Sequence, residues 1–229
     1  MLEPSLLAEL MKQRLPTPQH KLSYLLGATR DASVHRYGKS CEIIFWQKHV
    51  AWLEKIISPI LLDIFEIEAL PKPTKGGWRL KFKSKRIFET LVSEYDFPED
   101  GKQVFWHTPK PVKEGALPLG AYICGFFDAE GHAQTIPPQI NLYHSWNTAD
   151  GCPPLEDNKS FLQQLGIRAG SVRIRKPTRF QNYPRYILSV SNAEGVCKFY
   201  GSVGSLHPSK GFALLYAAGF GQRTEAPIL

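Results

Sequence analysis

Two stretches of this chain repeat one pattern at a separation of nearly half its length. Residues 18–34 read PQHKLSYLLGATRDASV, and residues 118–134 read PLGAYICGFFDAEGHAQ. Each opens on a proline, runs through apolar residues around a glycine, and reaches an acid followed by a small residue. Asp31 and Glu130 lie 99 residues apart in a chain of 229. Self-similarity at that distance predicts a duplicated fold. The segments downstream of the two stretches are also alike. After the first come a strand-like run, Cys41–Trp46, a helix over Val50–Phe65 with Leu53, Ile56, Ile57, Ile60, Leu61 and Ile64 at helical spacing, and a strand over Trp78–Phe82. After the second come Gln139–Trp146, a helix over Leu155–Leu165 stopped by Gly166, and strands over Ser171–Arg175 and Tyr186–Val190. The order helix, strands, helix, strands, helix therefore occurs twice, an α+β plan. Residues 99–118, rich in proline and glycine, read as the connection. The expected halves are 1–113 and 114–229.

Composition narrows the function classes. Lys and Arg number 28 against 21 Asp and Glu, a formal charge of +7. The distribution says more than the total. Lys72 to Arg86 carries seven basic residues and Arg168 to Arg185 carries six, neither segment with an acid. Two such segments are an electrostatic footprint for a polyanion. Cys41, Cys124, Cys152 and Cys197 are scattered with no CxxC pair, so neither a zinc site nor a disulfide framework is expected. The seven histidines also lack metal-ligand spacing. No apolar run approaches the ~18–20 residues of a membrane span. The N-terminal stretch lacks the apolar core of a signal peptide, and a cytoplasmic protein, or an organellar one if organelle-encoded, is expected.

The basic segments alternate. In Trp78–Lys83, Trp78, Leu80 and Phe82 should enter the core, while Arg79, Lys81 and Lys83 share an open face. Val172 and Ile174 against Arg173 and Arg175 should do the same in the second half. Gln139, Asn141, Tyr143 and Ser145 form a polar, uncharged face opposite Ile140, Leu142, His144 and Trp146. Such a mixture suits duplex DNA, because Lys and Arg neutralise phosphates, Arg forks onto guanine and Asn or Gln onto adenine. To these strand residues the candidate DNA contacts add Arg36, Lys39, Lys48, Lys72, Lys75, Lys176, Arg179 and Arg185, with His35 and His132 just after the acids as further candidates.

The repeated helices carry the candidate chemistry. Ala121, Gly125 and Ala129 recur every four residues, as do Ser23 and Gly27. Small residues at that spacing let two helix backbones approach closely. Helices packed through these faces would bring Asp31 and Glu130 to one end. Adjacent carboxylates repel unless a cation lies between them, and oxygen ligands with waters suit Mg²⁺. Metal ions at a phosphate can activate water and stabilise a leaving oxygen.

Residues 123–131, ICGFFDAEG, resemble the motif that names the LAGLIDADG homing endonucleases, with Gly125, Asp128, Ala129, Glu130 and Gly131 in register. The first copy, LLGATRDAS at 25–33, is degenerate: its acid comes one residue earlier after the glycine, and Ala32 stands where glycine is usual. LQQLGI at 162–167 and KFYGSVGSLHPSK at 198–210 also resemble family segments, and the likeness spans about residues 20–220. The resemblance implies duplicated αββαββα halves with pseudo-two-fold symmetry, motif helices at the centre, and two antiparallel sheets forming a DNA-binding saddle. It implies a single-chain monomer that cuts both strands of a long asymmetric site in a Mg²⁺-dependent reaction, leaving short 3′ overhangs, with Mn²⁺ or Ca²⁺ able to replace Mg²⁺ for binding. Asp31 and Glu130 are then the metal ligands. By the same resemblance Gln47 and Asn147 are polar residues at strand ends beside the reacting water, and Lys102 and Lys210 are lysines near the active centres. The alternative is a non-cleaving or nicking DNA- or RNA-binding protein of the same fold, an intron maturase or a regulator. The ends of the chain lack the nucleophile and His-Asn pair of a protein-splicing element, so a free-standing protein is expected.

Overall fold

The computed structural model describes residues 3–37, 40–175 and 182–223. After a helix α1 (Pro4–Arg14), the first half runs α2 (Pro18–Ala28), a 3-10 turn (Thr29–Asp31), β1 (Ser33–Tyr37), β2 (Ser40–Gln47), α3 (Val50–Trp52), a π-wound segment (Leu53–Ile57), α4 (Ser58–Phe65), β3 (Lys72–Thr74), β4 (Gly77–Lys83) and α5 (Lys85–Tyr95). A 3-10 turn (Gln103–Phe105) and a short helix α6 (Lys110–Lys113) connect to the second half. That half runs α7 (Leu119–Glu130), β5 (Gly131–Gln134), β6 (Gln139–Ser145), α8 (Pro153–Gln164), β7 (Arg173–Arg175), β8 (Arg185–Val190), α9 (Ala193–Ser202) and α10 (Pro208–Arg223). The duplicated αββαββα order of an α+β fold is thus present, with two antiparallel four-stranded sheets of matching order, β1-β2-β4-β3 and β5-β6-β8-β7.

Local sequence accounts for the element ends. Thr17 accepts the backbone N–H of His20 at the start of α2, Ser84 accepts that of Ile87 at α5, and Asn192 accepts that of Gly195 at α9. The expected helix over 50–65 is present, but its middle is π-wound. Pro59 has no N–H for the carbonyl four residues back, so the regular ladder is broken there.

Two expectations about the basic strands are corrected. Alternation alone makes Ser171–Arg175 the counterpart of Trp78–Phe82, yet sheet order makes β7 the counterpart of the edge strand β3, and β8 the counterpart of β4. As an edge strand, β7 lies outside the core, and Ile174 is 53% exposed rather than buried. In β4 the alternation is as expected at Leu80 and Phe82, which are buried, while Trp78 is half-buried.

In each sheet alternate side chains enter the core, Ile43, Phe45, Leu80 and Phe82 in the first and Ile140, Leu142, Tyr186 and Leu188 in the second. Among the described residues, no helix is long and apolar enough to cross a membrane.

Candidate active site where the motif helices cross

The helices α2 and α7 meet backbone to backbone. A methyl group on Gly27 would sit 2.2 Å from the carbonyl oxygen of Tyr122, and one on Gly125 would sit 2.0 Å from that of Tyr24. Only glycine permits this crossing. Beyond it the two helices end differently. From Gly125, α7 runs as α-helix to Glu130, five residues on. From Gly27, one α-helical residue is followed by the 3-10 turn to Asp31, four residues on. With rises of ~1.5 Å per α-helical residue and ~2.0 Å per 3-10 residue, both acids lie roughly 7.5 Å past their glycines. The tighter winding compensates for the residue missing from the degenerate motif. Gln103 helps hold that turn, donating through Nε2 to the carbonyls of Thr29 (2.6 Å) and Ala32.

The charge of Glu130 reaches Asp31. Burial and then the charge of Glu130 push the Asp31 carboxyl up from 3.8 to about 7, against the opposing pull of Lys210 and the hydrogen bond from Gln47. Glu130 is also pushed up by burial, opposed by Arg185, Lys210 and Arg30. Lys210, on α10, places Nζ 2.7–3.2 Å from the carbonyl oxygens of Phe127, Asp128 and Ala129 and so caps the C-terminal end of α7. Burial lowers its pKa, while Asp128, Asp31 and Glu130 raise it. Gln47, at the end of β2, donates its amide to Asp31 Oδ2 at 2.8 Å.

Two half-buried carboxylates and no nitrogen or sulfur ligand form a hard-oxygen donor set. Mg²⁺ is commonly held by one or two carboxylates, with waters and substrate phosphate completing its shell. The site fits that requirement. Among the described residues there is no group of three or more His, Cys, Asp or Glu placed to hold a metal by protein ligands alone.

The motif's other acid has a different job. Asp128 is fully buried and accepts from Tyr24 Oη at 2.6 Å, from Ser205 Oγ, and from the backbone N–H of Leu206 at 2.8 Å. Tyr24 in turn accepts from Trp52 Nε1 at 2.8 Å. Asp128 therefore ties α7 to α2 and to the segment before α10.

Over 195 residues the chain is 26% identical to homing endonuclease I-ApeI of Aeropyrum pernix, covering 83% of this chain and 84% of that protein. Its fold matches a structure of mesophilic variants from the homing endonuclease I-DmoI with a TM-score of 0.57 at 14% identity, covering 81% of this chain and 91% of that one. It matches the homing endonuclease I-WcaI bound to its DNA recognition sequence with a TM-score of 0.54 at 16% identity, covering 86% and 87%. In sequence the chain resembles one homing endonuclease, and in fold it resembles two others. Full-length DUF199/WhiA from Thermatoga maritima matches with a TM-score of 0.53 at 13% identity, over 100% of this chain and 68% of that one. No protein-family model matches the chain.

Strand register decides which basic residues share a face. Cross-strand partners point the same way. Lys72 faces Arg79, Ile44 faces Lys81, and Glu42 faces Lys83, so these three basic residues of β4 and Lys72 share the open side of the first sheet. Lys81 is ion-paired there with Glu42 at 2.6 Å, and that contact holds the Glu42 carboxyl below its ordinary value. Lys48 and Lys75 lie exposed in the loops at the ends of β2 and β3. In the second sheet Asn141 faces Ser189, Ser145 faces Arg185, and Arg175 faces Arg185, which puts Gln139, Asn141, Tyr143, Ser145, Arg173, Arg175 and Arg185 on one side. Arg175 and Arg185 stand 5.7 and 4.9 Å from the ring of Tyr143.

Three candidates differ from expectation. Arg36 faces the helix side with Cys41, beside Glu99 at 3.8 Å and over the ring of Phe88. Asn141 is 5% exposed, and its Oδ1 already accepts from Ser189 and Gln139. Lys102 is 59% exposed and pairs with Asp100 at 3.1 Å, not with either acid of the site. Lys39, Lys176 and Arg179 lie outside the described residues.

By sequence spacing, Lys210 is matched by Lys110. At a separation of 100 the chain pairs Trp46 with Trp146, Gln47 with Asn147, His107 with His207, and Lys110 with Lys210. An H-x-x-K run thus occurs in each half. Also missed was Arg30, 2% exposed, which donates to the carbonyls of Trp106 (2.6 Å) and His107 (3.0 Å) and to Tyr122 Oη (3.1 Å), and stacks on Trp106 at 4.2 Å. A lone arginine at a helix end gives no sequence signal of burial.

Proposed function

We propose that this chain is a site-specific DNA endonuclease that hydrolyses both strands of a long asymmetric duplex target and leaves short 3′ overhangs. The observation that carries the reading is the delivery of Asp31 and Glu130, remote in sequence, to one height beyond the helix crossing, where the charge of Glu130 pushes the Asp31 carboxyl up. The likeness to I-ApeI over most of both chains supports the same class of activity. On this reading the halves are 1–113 and 114–229, the chain acts as a monomer, and the open faces of the two sheets contact the duplex. Arg79, Lys83, Lys72, Arg173 and Arg175 would meet phosphates and base edges, and Lys39, Lys176 and Arg179, outside the described residues, are further candidate contacts.

Asp31 and Glu130 would hold divalent metal, Mg²⁺ in the working enzyme and Mn²⁺ or Ca²⁺ as binding substitutes. When bound, such ions supply a more acidic water and neutralise charge on the phosphate. The residues of the chain do the rest. Gln47 fixes the Asp31 carboxylate by its amide, and its position at the strand end suits it to orient the attacking water. Lys210 places positive charge beside both acids, where negative charge grows in the transition state. Asn147 would stand in the second centre as Gln47 does in the first.

One observation favours a second reading, a nicking enzyme. Glu130 lies 3.7 Å from Arg185, and Asn147 Oδ1 is buried with no partner among the described residues, so the second centre is less assembled than the first. The test for both is incubation of the protein, and of its Asp31→Asn and Glu130→Gln forms, with a randomised duplex library and Mg²⁺, followed by sequencing of cut ends. Defined double-strand ends lost in both variants support the endonuclease. Defined single-strand nicks move the conclusion to the nickase, and tight binding without cuts to a non-cleaving protein.

A further inference from the structure

We infer that His207 is a positioning residue for the first centre: it holds the Gln47 amide in the orientation that presents Gln47 Nε2 to Asp31, through a hydrogen bond from His207 Nε2 to Gln47 Oε1. The inference rests on the endonuclease reading. His207 comes from the second half of the chain and serves the acid of the first.

The hydrogen-bond directions form one consistent chain. An ionised Asp31 only accepts, so the Gln47 atom at 2.8 Å from it is the amide nitrogen. Gln47 then turns its oxygen, an acceptor, to His207 Nε2 at 3.4 Å, which requires the imidazole proton on Nε2. Nδ1 is left as the acceptor, and Ser209 Oγ lies 3.1 Å away to donate to it. Every donor meets an acceptor from Ser209 through His207 and Gln47 to Asp31. Reversing the Gln47 amide would place its oxygen against the carboxylate and its nitrogen against a protonated imidazole nitrogen, two repulsive contacts at once.

The ring is held for this purpose. His207 is 3% exposed and packs against Trp52 and His49, with ring centroids at 5.7 and 6.4 Å. Burial pushes its pKa down to about 3, so the ring is neutral across the working range. The backbone that carries it is pinned by Asp128, which accepts from Ser205 Oγ and from the N–H of Leu206, while Ser205 Oγ also accepts the N–H of His207 at 3.2 Å. The buried acid of the second motif thus fixes the histidine that orients the first centre. The duplicate position, His107, is exposed and stacks edge-on to Trp146 at 5.0 Å, and Asn147 Oδ1 has no partner among the described residues.

The test combines spectroscopy with strand-resolved cleavage. Nitrogen-15 spectra of histidine in the metal-free protein at pH 8.5, where Asp31 is ionised, should show His207 as the Nε2–H tautomer, and this signal should change in Gln47→Leu. On supercoiled plasmid bearing a selected target, His207→Leu should slow cutting of one strand by about 10-fold. Nicked circles should then accumulate, with duplex affinity unchanged. His207→Gln keeps an N–H donor at the Nε2 position and should recover most of the rate. The double variant His207→Leu/Gln47→Leu should be no slower than Gln47→Leu alone. An Nδ1–H tautomer, equal slowing of both strands, or additive loss in the double variant overturns the positioning role while leaving the endonuclease intact. No cutting by the unsubstituted protein overturns both.

Discussion

The two centres descend from one pattern and are built differently. In the first, Asp31 has a neutral amide donor in Gln47, itself held by a neutral histidine. In the second, Glu130 faces the guanidinium of Arg185 at 3.7 Å, and the equivalent amide, Asn147, leaves its oxygen without a partner among the described residues. The cations differ too. Lys210 is drawn in beneath α7, whereas its duplicate Lys110 is 73% exposed and pairs with Glu114 at 3.7 Å. On the opposite side the buried cation is Arg30, from the first motif's own 3-10 turn. Duplication has kept the symmetric packing of the helices and let the chemistry around each acid diverge. Packing through Gly27 and Gly125 constrains both copies to the same backbone distance, and no such constraint acts on the polar groups beyond it.

The comparison breaks most sharply at the lysines. Lys210→Met should lower the single-turnover cleavage rate by about 10³-fold, and Lys110→Met by less than about twofold, since only the first lies beside charge that develops in the reaction. Equal losses would mean that the buried position of Lys210 has no chemical role. At the crossing, where the halves are alike, Gly27→Ala and Gly125→Ala should each destabilise by roughly 2–3 kcal/mol in denaturant titration, because the added methyl meets a carbonyl of the other helix. A large loss at one glycine alone would show that the crossing is not shared evenly. At the strand ends, Gln47→Leu should slow cleavage of one strand by about 10-fold. Asn147→Leu should have a smaller effect, because Asn147 Oδ1 makes no hydrogen bond among the described residues that the change would remove.

The smallest expected effect concerns pH. Asp31 has a folded-state pKa of about 7 against an ordinary 3.8, so the folded form keeps its proton longer than the unfolded form. Metal-free stability should therefore fall as pH rises through that interval and level off above it. The loss should shrink in Asp31→Asn, leaving the part due to Glu130 and Asp128, whose carboxyls burial also raises, and it should be reversed by added Mg²⁺, as thermal melts at pH 4–8 would report.

The periodic parts of this molecule were legible in the sequence. Alternation in Trp78–Lys83 places Leu80 and Phe82 inside and Arg79, Lys81 and Lys83 outside, as found. Small residues at four-residue spacing announce the helix crossing. Periodicity does not say which strand is an edge, so it matches Ser171–Arg175 to the wrong partner and puts Ile174 inside. Nor does it reveal contacts made across the chain. Arg30 finds its acceptors 76 and 77 residues away, and His207 reaches Gln47 over a gap of 160. Asp31 can be named only because it is the acid at that helix end. The 3-10 winding that brings it level with Glu130 is a backbone adjustment that the residues themselves do not spell out.

The most direct measurement is an anomalous-scattering map of the protein crystallised with a selected duplex and Mn²⁺. Manganese peaks ligated by the Asp31 and Glu130 carboxylates, between the crossing helices and the DNA, are the predicted result. Manganese bound away from both carboxylates, with the duplex on another surface, would contradict it.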